Sequence, residues 1–269
     1  AERLFTVLDN EEYLVENEQG DDVTKLGVLE FNNVSFGFPG KDQPKILEGI
    51  NLRLEPGYTL GITGPQGSGK STFAQLIPRF YDPTLGDIRF NGVDLRDYKL
   101  NSLREAVSLV QQDTFLFTSS VKNNILYGEP WATGEQVTSA ASIAQLHEHI
   151  DLLPQGYKTL IGERGVSLSG GQRQRLNISR SLILNAKILI FDDSTSAIDA
   201  ATEQKIQEGL KLGASNRITI IISHRLVSLM HADEIIYMED GKITENGTHE
   251  ELIQLGGHYA RLYQLQKTF

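Results

Sequence analysis

Hydrophobic and polar positions alternate over short distances in the first part of the chain. Residues 28–63 contain the apolar runs "VLEFNNVSFGF" and "INLRLEPGYTLGIT", and the turn signal Pro56-Gly57 interrupts the second run. A third run, "GDIRFNG", ends at Asn91-Gly92. Short apolar runs that are bounded by turn residues predict β-strands. The N-terminal side of the chain is therefore predicted to be rich in strands.

The pattern changes to helical spacing between residues 113 and 165, in "SVKNNILY" and "GEQVTSAASIAQLHEHI". After residue 170 helices and strands alternate. The predicted order is a helix, a strand (187–192), a helix (200–211), a strand (217–222), a helix, a strand (234–238), a hairpin at Asp240-Gly241 and two short helices. Strands that alternate with helices predict an α/β core with a mainly parallel sheet. The helical stretch in the middle predicts an inserted α-helical subdomain at about 113–180.

Composition and charge narrow the classes of function. The chain has 269 residues, of which 39% are hydrophobic and 22% are charged, as in a globular protein with a sizeable core. The net charge is −10, and residues 1–22 carry eight acidic residues and one basic residue. This balance argues against a nucleic-acid partner, which selects a basic surface. The chain has no cysteine, which excludes disulfides and thiolate metal sites.

A glycine-rich stretch, "GPQGSGKS", follows the apolar run "YTLGIT" and precedes a predicted helix. It matches the phosphate-loop pattern G-x-x-x-x-G-K-S/T, in which glycines allow backbone N–H groups to surround phosphate oxygens. In this pattern Lys70 reaches the β- and γ-phosphates, and the Ser71 hydroxyl binds Mg²⁺. The predicted nucleotide-binding residues of this stretch are Gly64, Pro65, Gln66, Gly67, Ser68, Gly69, Lys70, Ser71 and Thr72.

Two carboxylates follow a buried-strand pattern in "ILIFDDSTSAID", residues 188–199. A carboxylate is costly to bury unless a cation or hydrogen-bond donors compensate its charge. In phosphate-loop proteins the neighbouring strand commonly ends in a carboxylate that holds the Mg²⁺ shell. Asp192 is therefore predicted as a metal ligand, and the alternative is that it caps the next helix.

The pentapeptide "LSGGQ", Leu168–Gln172, ends 20 residues before Asp192. Together with the phosphate loop and the aspartate strand, it resembles the signature of the ATP-binding-cassette (ABC) ATPases. The resemblance implies an α/β fold with a phosphate-loop NTPase core, an antiparallel β subdomain at the N-terminal side and the inserted helical subdomain. It also implies that a second ABC ATPase domain binds head-to-tail, with two ATP molecules sandwiched between the domains. The signature residues that would contact the partner's ATP are Ser169, Gly170, Gly171 and Gln172.

Further positions match the family's pattern. Gln112 in "SLVQQD" resembles the glutamine that contacts Mg²⁺ and the attacking water, with Gln111 as the alternative in register. His224 in "IIISHRL" resembles the switch histidine that contacts the γ-phosphate. Phe38 in "VSFGFPG" resembles the aromatic residue that stacks on adenine, with Phe36 as the alternative. The segment "SAID", 196–199, resembles the loop that crosses the dimer interface.

Asp193 departs from the family's pattern, since the residue after the strand-end aspartate is usually a glutamate that polarises the attacking water. Ser194 likewise stands where proline is common. Aspartate is one methylene shorter than glutamate, and a catalytic base must lie within hydrogen-bond reach of its water. We therefore expect Asp193 to be an impaired base. This pattern is typical of exporters built from two different chains, and the alternative is a homodimer that works adequately with aspartate.

Two stretches favour an exporter. "TLIGERG", 159–165, resembles the segment before the signature that contacts the coupling helices of an exporter's membrane domain. "RLFTVLDNEEY" resembles the entry from the last membrane helix. We expect residues 1–27 to be a linker from a transmembrane domain and residues 28–269 to be an ABC ATPase domain at the cytoplasmic face of a membrane. The alternatives are a nucleotide-gated binding module and, disfavoured by the acidic charge, a soluble cassette protein that acts on DNA or ribosomes.

Overall fold

The computed structural model describes residues 14–38, 44–162 and 167–267. Part of the predicted linker (1–13) and most of the "GERG" end of the exporter segment (163–165) lie outside these ranges. The strands, in chain order, are β1 Leu29–Phe36, β2 Leu47–Leu54, β3 Thr59–Thr63, β4 Leu85–Phe90, β5 Val93–Asp94, β6 Val107–Val110, β7 Ser119–Ser120, β8 Leu160–Ile161, β9 Ile188–Asp192, β10 Ile218–Ile222, β11 Glu234–Glu239 and β12 Lys242–Gly247. The α-helices are α1 Lys70–Leu76, α2 Leu100–Ala106, α3 Val121–Ile125, α4 Gly134–Ile143, α5 His147–Asp151, α6 Gly170–Ile183, α7 Ala200–Lys211, α8 His249–Leu255 and α9 His258–Lys267.

A six-stranded sheet in the order β12-β11-β3-β10-β9-β6 forms the centre of the fold. Its strand pairs are parallel except for the β11–β12 hairpin, which turns at Asp240-Gly241 as predicted. Strands β9 and β10 are continuous apolar runs because both faces of a parallel sheet are covered. The parallel register places the carboxyl ends of β3, β9 and β10 at one edge of the sheet. The phosphate loop follows β3, Asp192 ends β9, and His224 lies two residues after the end of β10.

A second sheet has four strands in the order β2-β1-β4-β5, and all of its pairs are antiparallel. This is the antiparallel β subdomain that the sequence predicts. Helix α1 lies against it, since the ring of Phe73 stacks on Phe31 of β1 with the centroids 4.5 Å apart. One hydrophobic core joins this sheet, α1 and the central sheet. The helix that leaves the phosphate loop is therefore held on both sides.

The chain between β6 and β9 forms a mainly helical part with a hydrophobic cluster of its own. Val121, Val137, Ile150 and Leu176 belong to this cluster, and each comes from a different helix. The short strands β7 and β8 pair with each other. Helix α6 continues to Ile183, three residues beyond the predicted end of the subdomain. None of the helices in the described ranges is both long and apolar enough to cross a membrane.

One segment differs from what the sequence predicts. The prediction of a helix between β10 and β11 is wrong, because the structure has a single 3₁₀ turn there, Leu226–Ser228. The described part of the linker lies against the domain: the carbonyl of Val15 accepts a hydrogen bond from Arg79, and Asp21 bridges to Tyr98. Val23 is buried, and Asp22 forms an ion pair with Lys99. Residues 15–23 therefore follow the surface of the ATPase fold.

Candidate functional site

The loop between β3 and α1 bends around the ammonium group of Lys70. Lys70 Nζ donates hydrogen bonds to the carbonyls of Gly64 (3.0 Å) and Pro65 (2.7 Å) and lies 3.3 Å from Ser68 Oγ. Gly69, at φ +96°, starts the helix, and a Cβ there would lie 2.8 Å from the carbonyl of Ile46. Burial lowers the pKa of Lys70, and the carboxylates of Asp193 and Asp192 oppose this shift. The loop is thus a backbone cradle with one buried cation.

Asp192 and Ser71 form a small oxygen site beside the loop. The Ser71 hydroxyl donates to Asp192 Oδ1 across 3.2 Å, although the two residues are 121 positions apart. Burial raises the pKa of Asp192, while the hydrogen bond from Ser71 opposes the rise. A part-buried carboxylate next to a hydroxyl provides the hard oxygen ligands that Mg²⁺ prefers, and a divalent cation would offset the cost of burying the charge. The residues present therefore fit the expected metal.

Asp193 points in a different direction from Asp192 because its backbone is in the left-handed region, at φ +46°. Its N–H donates to the carbonyl of Ile222 (3.0 Å). Its Oδ1 accepts a hydrogen bond from the backbone N–H of His224 (3.0 Å), and its Oδ2 lies 3.2 Å from His224 Nε2. The two residues thus form one unit across the ends of β9 and β10. The hydroxyl of the neighbouring Ser194 is buried with no hydrogen-bond partner among the described residues.

One cleft of about 360 Å³ collects most of the predicted residues, and this volume lies in the range of ligand sites. Its lining residues are Phe38, Ile46, Gln66, Gly67, Gly69, Lys70, Ser71, Thr72, Gln112, Asp193 and His224. Phe38 is 39% exposed, whereas its alternative Phe36 is 3% exposed in the core. Gln112 lines the cleft, whereas Gln111 does not. The geometry therefore favours Phe38 and Gln112 over their alternatives in register.

The signature residues lie elsewhere in the chain's fold. Ser169 caps α6: its Oγ accepts from the Gln172 N–H (3.3 Å), and its own N–H donates to Gln172 Oε1 (2.8 Å). These two hydrogen bonds form a capping box at the start of α6. An exposed capping hydroxyl that accepts from an N–H still has its own hydrogen to donate. Among the described residues that line the cleft, none belongs to 169–172. A single chain therefore does not bring its signature to its own phosphate loop.

A part-buried polar network around Gln174 and Glu203 was not predicted from the sequence. Gln174 donates to Ser196 Oγ (3.1 Å) and accepts from the N–H of Ala197 (2.9 Å), which joins α6 to the 196–199 loop. Arg225 forms an ion pair with the buried Glu203 (3.0 Å). The sequence offers the position of Arg225 beside His224 as its only hint, because these partners come from distant parts of the chain.

Comparison with known proteins places these features in a family. The family model described as "ABC transporter" matches residues 47–196. An uncharacterized ABC transporter ATP-binding protein of Bacillus subtilis, YknU, is 46% identical over 267 residues, which are 99% of this chain and 46% of that protein. A putative multidrug export ATP-binding/permease protein of Staphylococcus aureus is 46% identical over 265 residues, with 98% and 46% covered.

A solved structure agrees in fold. A bacterial Atm1-family ABC exporter with ATP bound superposes with a TM-score of 0.91 at 38% identity, covering 98% of this chain and 47% of that one. The chain thus spans about half the length of the curated relatives it matches.

Proposed function

This chain belongs to the ABC transporter family, as an ATP-binding ATPase domain, and from that premise we propose that it supplies the ATP hydrolysis of a longer exporter. Residues 28–269 would be the ATPase domain, and residues 1–27 would link it to a transmembrane domain at the cytoplasmic face of a membrane. The Staphylococcus aureus relative, a putative multidrug export ATP-binding/permease protein, supports this proposal. So does the fact that the chain spans about half their length.

The observation that carries the proposal is the cleft that combines the phosphate loop, Phe38, Gln112 and the Asp193–His224 pair. Lys70 would neutralise phosphate charge, and Phe38 would stack on adenine. Ser71, Asp192 and Gln112 would hold Mg²⁺, which supplies positive charge to phosphate oxygens when bound. Asp193 would orient the attacking water, and His224 would contact the γ-phosphate.

The separation of the signature from the cleft supports a head-to-tail dimer. Residues 169–172 would complete the ATP site of a second ABC ATPase domain, where the N-terminus of the 14-residue helix α6 favours an anion. The partner can be a second copy or a different chain. The shorter side chain of Asp193 supports a different chain, because a weakened base on one side is tolerated when the partner's site is competent.

The first test is nucleotide binding by calorimetry with the Lys70→Ala variant. Because Lys70 is the cation of the phosphate cradle, we expect micromolar-to-millimolar binding of Mg·ATP by the unmodified chain and a large loss in the variant. Thr138→Ala, at a partly exposed position of α4 outside the lining of the cleft, serves as the control and should bind normally. Unchanged affinity in Lys70→Ala would contradict the phosphate-loop assignment.

The second test measures the base through steady-state phosphate release at saturating Mg·ATP. Asp193→Glu should raise kcat by up to about 100-fold, or about 2.7 kcal/mol of barrier, because the carboxylate then reaches its water. KM should change little, since the base does not contact the nucleotide. His224→Ala in the glutamate variant should remove most of the gain. Brisk turnover by the unmodified chain without any gain would mean that Asp193 is a competent base.

A nucleotide-gated binding module is the second candidate, and the same observation at Asp193 favours it. In that case the domain would bind ATP and close on its partner with almost no turnover. The calorimetry and the phosphate-release measurement together separate the two candidates, since both require binding but only the first requires hydrolysis.

A further inference from the structure

The side chain of Gln266, near the end of α9, bridges the backbone on both sides of Arg225. Gln266 Nε2 donates to the carbonyl of His224 (2.6 Å), and Gln266 Oε1 accepts from the N–H of Leu226 (2.9 Å). The residues are separated by about 40 positions along the chain. One amide group therefore holds two backbone groups that are two residues apart, in the manner of a neighbouring strand.

The geometry points to Gln266 as a positioning residue for His224, an inference that rests on the proposed function. His224 is half exposed, and its ring contacts Asp193 at 3.2 Å. The backbone N–H of the same residue donates to the other oxygen of Asp193. Gln266 fixes the carbonyl of His224, and with it the peptide plane from which the ring is oriented. The C-terminal helix thereby sets the direction in which the histidine enters the cleft.

The chemistry requires an amide at this position. A glutamine side chain carries a donor and an acceptor on one planar group, whereas glutamate only accepts and lysine only donates. The orientation of the amide follows from its partners, because a carbonyl needs a donor and an N–H needs an acceptor. Replacement of Gln266 by glutamate should therefore break one half of the bridge and keep the other half.

Other contacts hold the rest of this loop, so the loss of Gln266 affects position more than folding. The N–H of Ser223 donates to the carbonyl of Ile62 (3.1 Å). Arg225 Nη1 donates to the carbonyl of Ile198 (2.7 Å) and pairs with Glu203. These contacts do not involve Gln266. The Gln266 bridge therefore acts only on the backbone of residues 224–226, while the backbone of Ser223 and the side chain of Arg225 are held by these other contacts.

The first measurement is amide hydrogen exchange by NMR in the protein without nucleotide. Gln266→Leu should accelerate exchange of the Leu226 amide by about 10-fold or more, because a local opening frees an amide that has lost its acceptor. Gln266→Glu should leave this amide protected. The matched control is Leu265→Ala, which changes a 63% exposed neighbour on the same helix. Unchanged exchange in Gln266→Leu would overturn the bridge itself.

The second measurement is steady-state phosphate release by the same variants, each checked for an unchanged melting temperature. Gln266→Leu and Gln266→Glu should both lower kcat by about 10-fold or more with little change in KM, since small misplacements of reacting groups are costly. In a His224→Ala background neither change should have a further effect. Faster exchange with an unaltered kcat would overturn the positioning role.

The two measurements also separate this inference from the proposed function. Hydrogen exchange needs no ATP and reports the bridge alone. If the unmodified chain released no phosphate, the proposed function would fail together with the positioning role, whereas the exchange data would still establish the contact. Additive losses in Gln266→Leu and His224→Ala would show that the two side chains act independently, which contradicts the inference.

Discussion

At the scale of single residues, the end of β9 directs the carboxylates of Asp192 and Asp193 towards different neighbours. Asp192 continues the extended strand, so its carboxylate meets the Ser71 hydroxyl beside the loop. Asp193 turns into the left-handed region, which aspartate tolerates better than most residues, and its carboxylate meets His224. The backbone conformation, more than the side-chain type, separates the proposed metal ligand from the proposed base.

Asp192→Asn should stabilise the domain in the absence of metal and nucleotide. Burial raises the pKa of Asp192 above its unfolded value, so the folded state holds this proton more tightly than the unfolded chain does. The stability that this group contributes is therefore lost as the pH rises from the unfolded pKa through the folded pKa. The neutral amide removes this loss and can still accept from Ser71. Thermal melting at pH 7 in EDTA should therefore give a higher Tm than the unmodified chain.

The same variant should lose the stabilisation that Mg·ATP gives, because an amide is a weaker ligand for Mg²⁺ than a carboxylate. Asp240→Asn, in the β11–β12 turn, is the control and should retain the full effect of Mg·ATP. A lower Tm of Asp192→Asn in EDTA would contradict the burial cost assigned to this carboxylate.

Phe38→Ala should weaken ATP binding by about 1–3 kcal/mol, because stacking of the ring on the base is lost. The unmodified chain should select only weakly between bases, since every base has a π-face. The ring is edge-on to Phe36 and Tyr81, with centroids 5.1 and 5.2 Å apart, so it is supported from behind. Calorimetry measures the affinity. Phe36→Ala should act mainly on stability, because Phe36 is buried, and an affinity loss in Phe36→Ala with none in Phe38→Ala would mean the register is wrong.

The position of most candidate site residues could be predicted because motif spacing constrains them locally. The phosphate loop, Asp192 and His224 follow strands whose ends meet at one sheet edge, and period and composition reveal those strands. Gln174, Glu203 and Gln266 could not be found in this way. Each of them contacts at least one partner that is 22 or more residues away. An ordinary glutamine or glutamate on a helix gives no pattern that distinguishes a bridge from a solvated side chain.

At the scale of elements, local sequence patterns predicted the limits of long helices and strands well but mispredicted the conformation of the segment after β10. Strand β9 and helix α7 begin and end close to their predicted limits. The apolar stretch after His224 suggested a helix, yet the backbone of 223–226 is held by Ile62, Asp193 and Gln266. These tertiary contacts use groups that a helix would need for its own ladder, so only one 3₁₀ turn forms.

Gln174 should be the most important polar contact between α6 and the 196–199 loop. Gln174→Leu removes the acceptor of the part-buried hydrogen bond from the Ala197 N–H, which should destabilise the domain by about 0.5–1.5 kcal/mol. Urea unfolding followed by circular dichroism measures this loss. Gln204→Leu, on the exposed face of α7, should change stability by less than about 0.5 kcal/mol. Equal effects of the two changes would contradict the bridging role.

At the scale of the whole molecule, the phosphate loop and the signature belong to different parts of the fold. The loop lies between the two larger sheets, whereas Ser169 begins a helix of the mainly helical part. The fold class could be predicted because strand and helix periods differ clearly. The distance between the two motifs could not be predicted. Their spacing along the chain does not determine whether the signature of one chain faces its own phosphate loop or that of another chain.

The unmodified signature should support an ATP-dependent dimer when hydrolysis is blocked. With Asp193→Asn and Mg·ATP, light scattering should report twice the 29.9 kDa mass of the chain. Adding Ser169→Asp should abolish the dimer, because aspartate still caps a helix but repels the γ-phosphate. A monomer at high concentration without the second change would argue against self-association and favour a different partner chain.

The separate hydrophobic cluster of the mainly helical part has a consequence for partial unfolding. Leu182 on α6 packs against both this cluster and the one that covers β9, so α6 contacts both clusters. Packed clusters tend to open as units, and helices α4 and α5 can therefore melt while β3 and β10 stay closed. Native-state hydrogen exchange should show lower opening free energies for α4 and α5. In the proposed dimer, a chain melted there would still retain its own nucleotide, yet it would fail to complete the site of its neighbour.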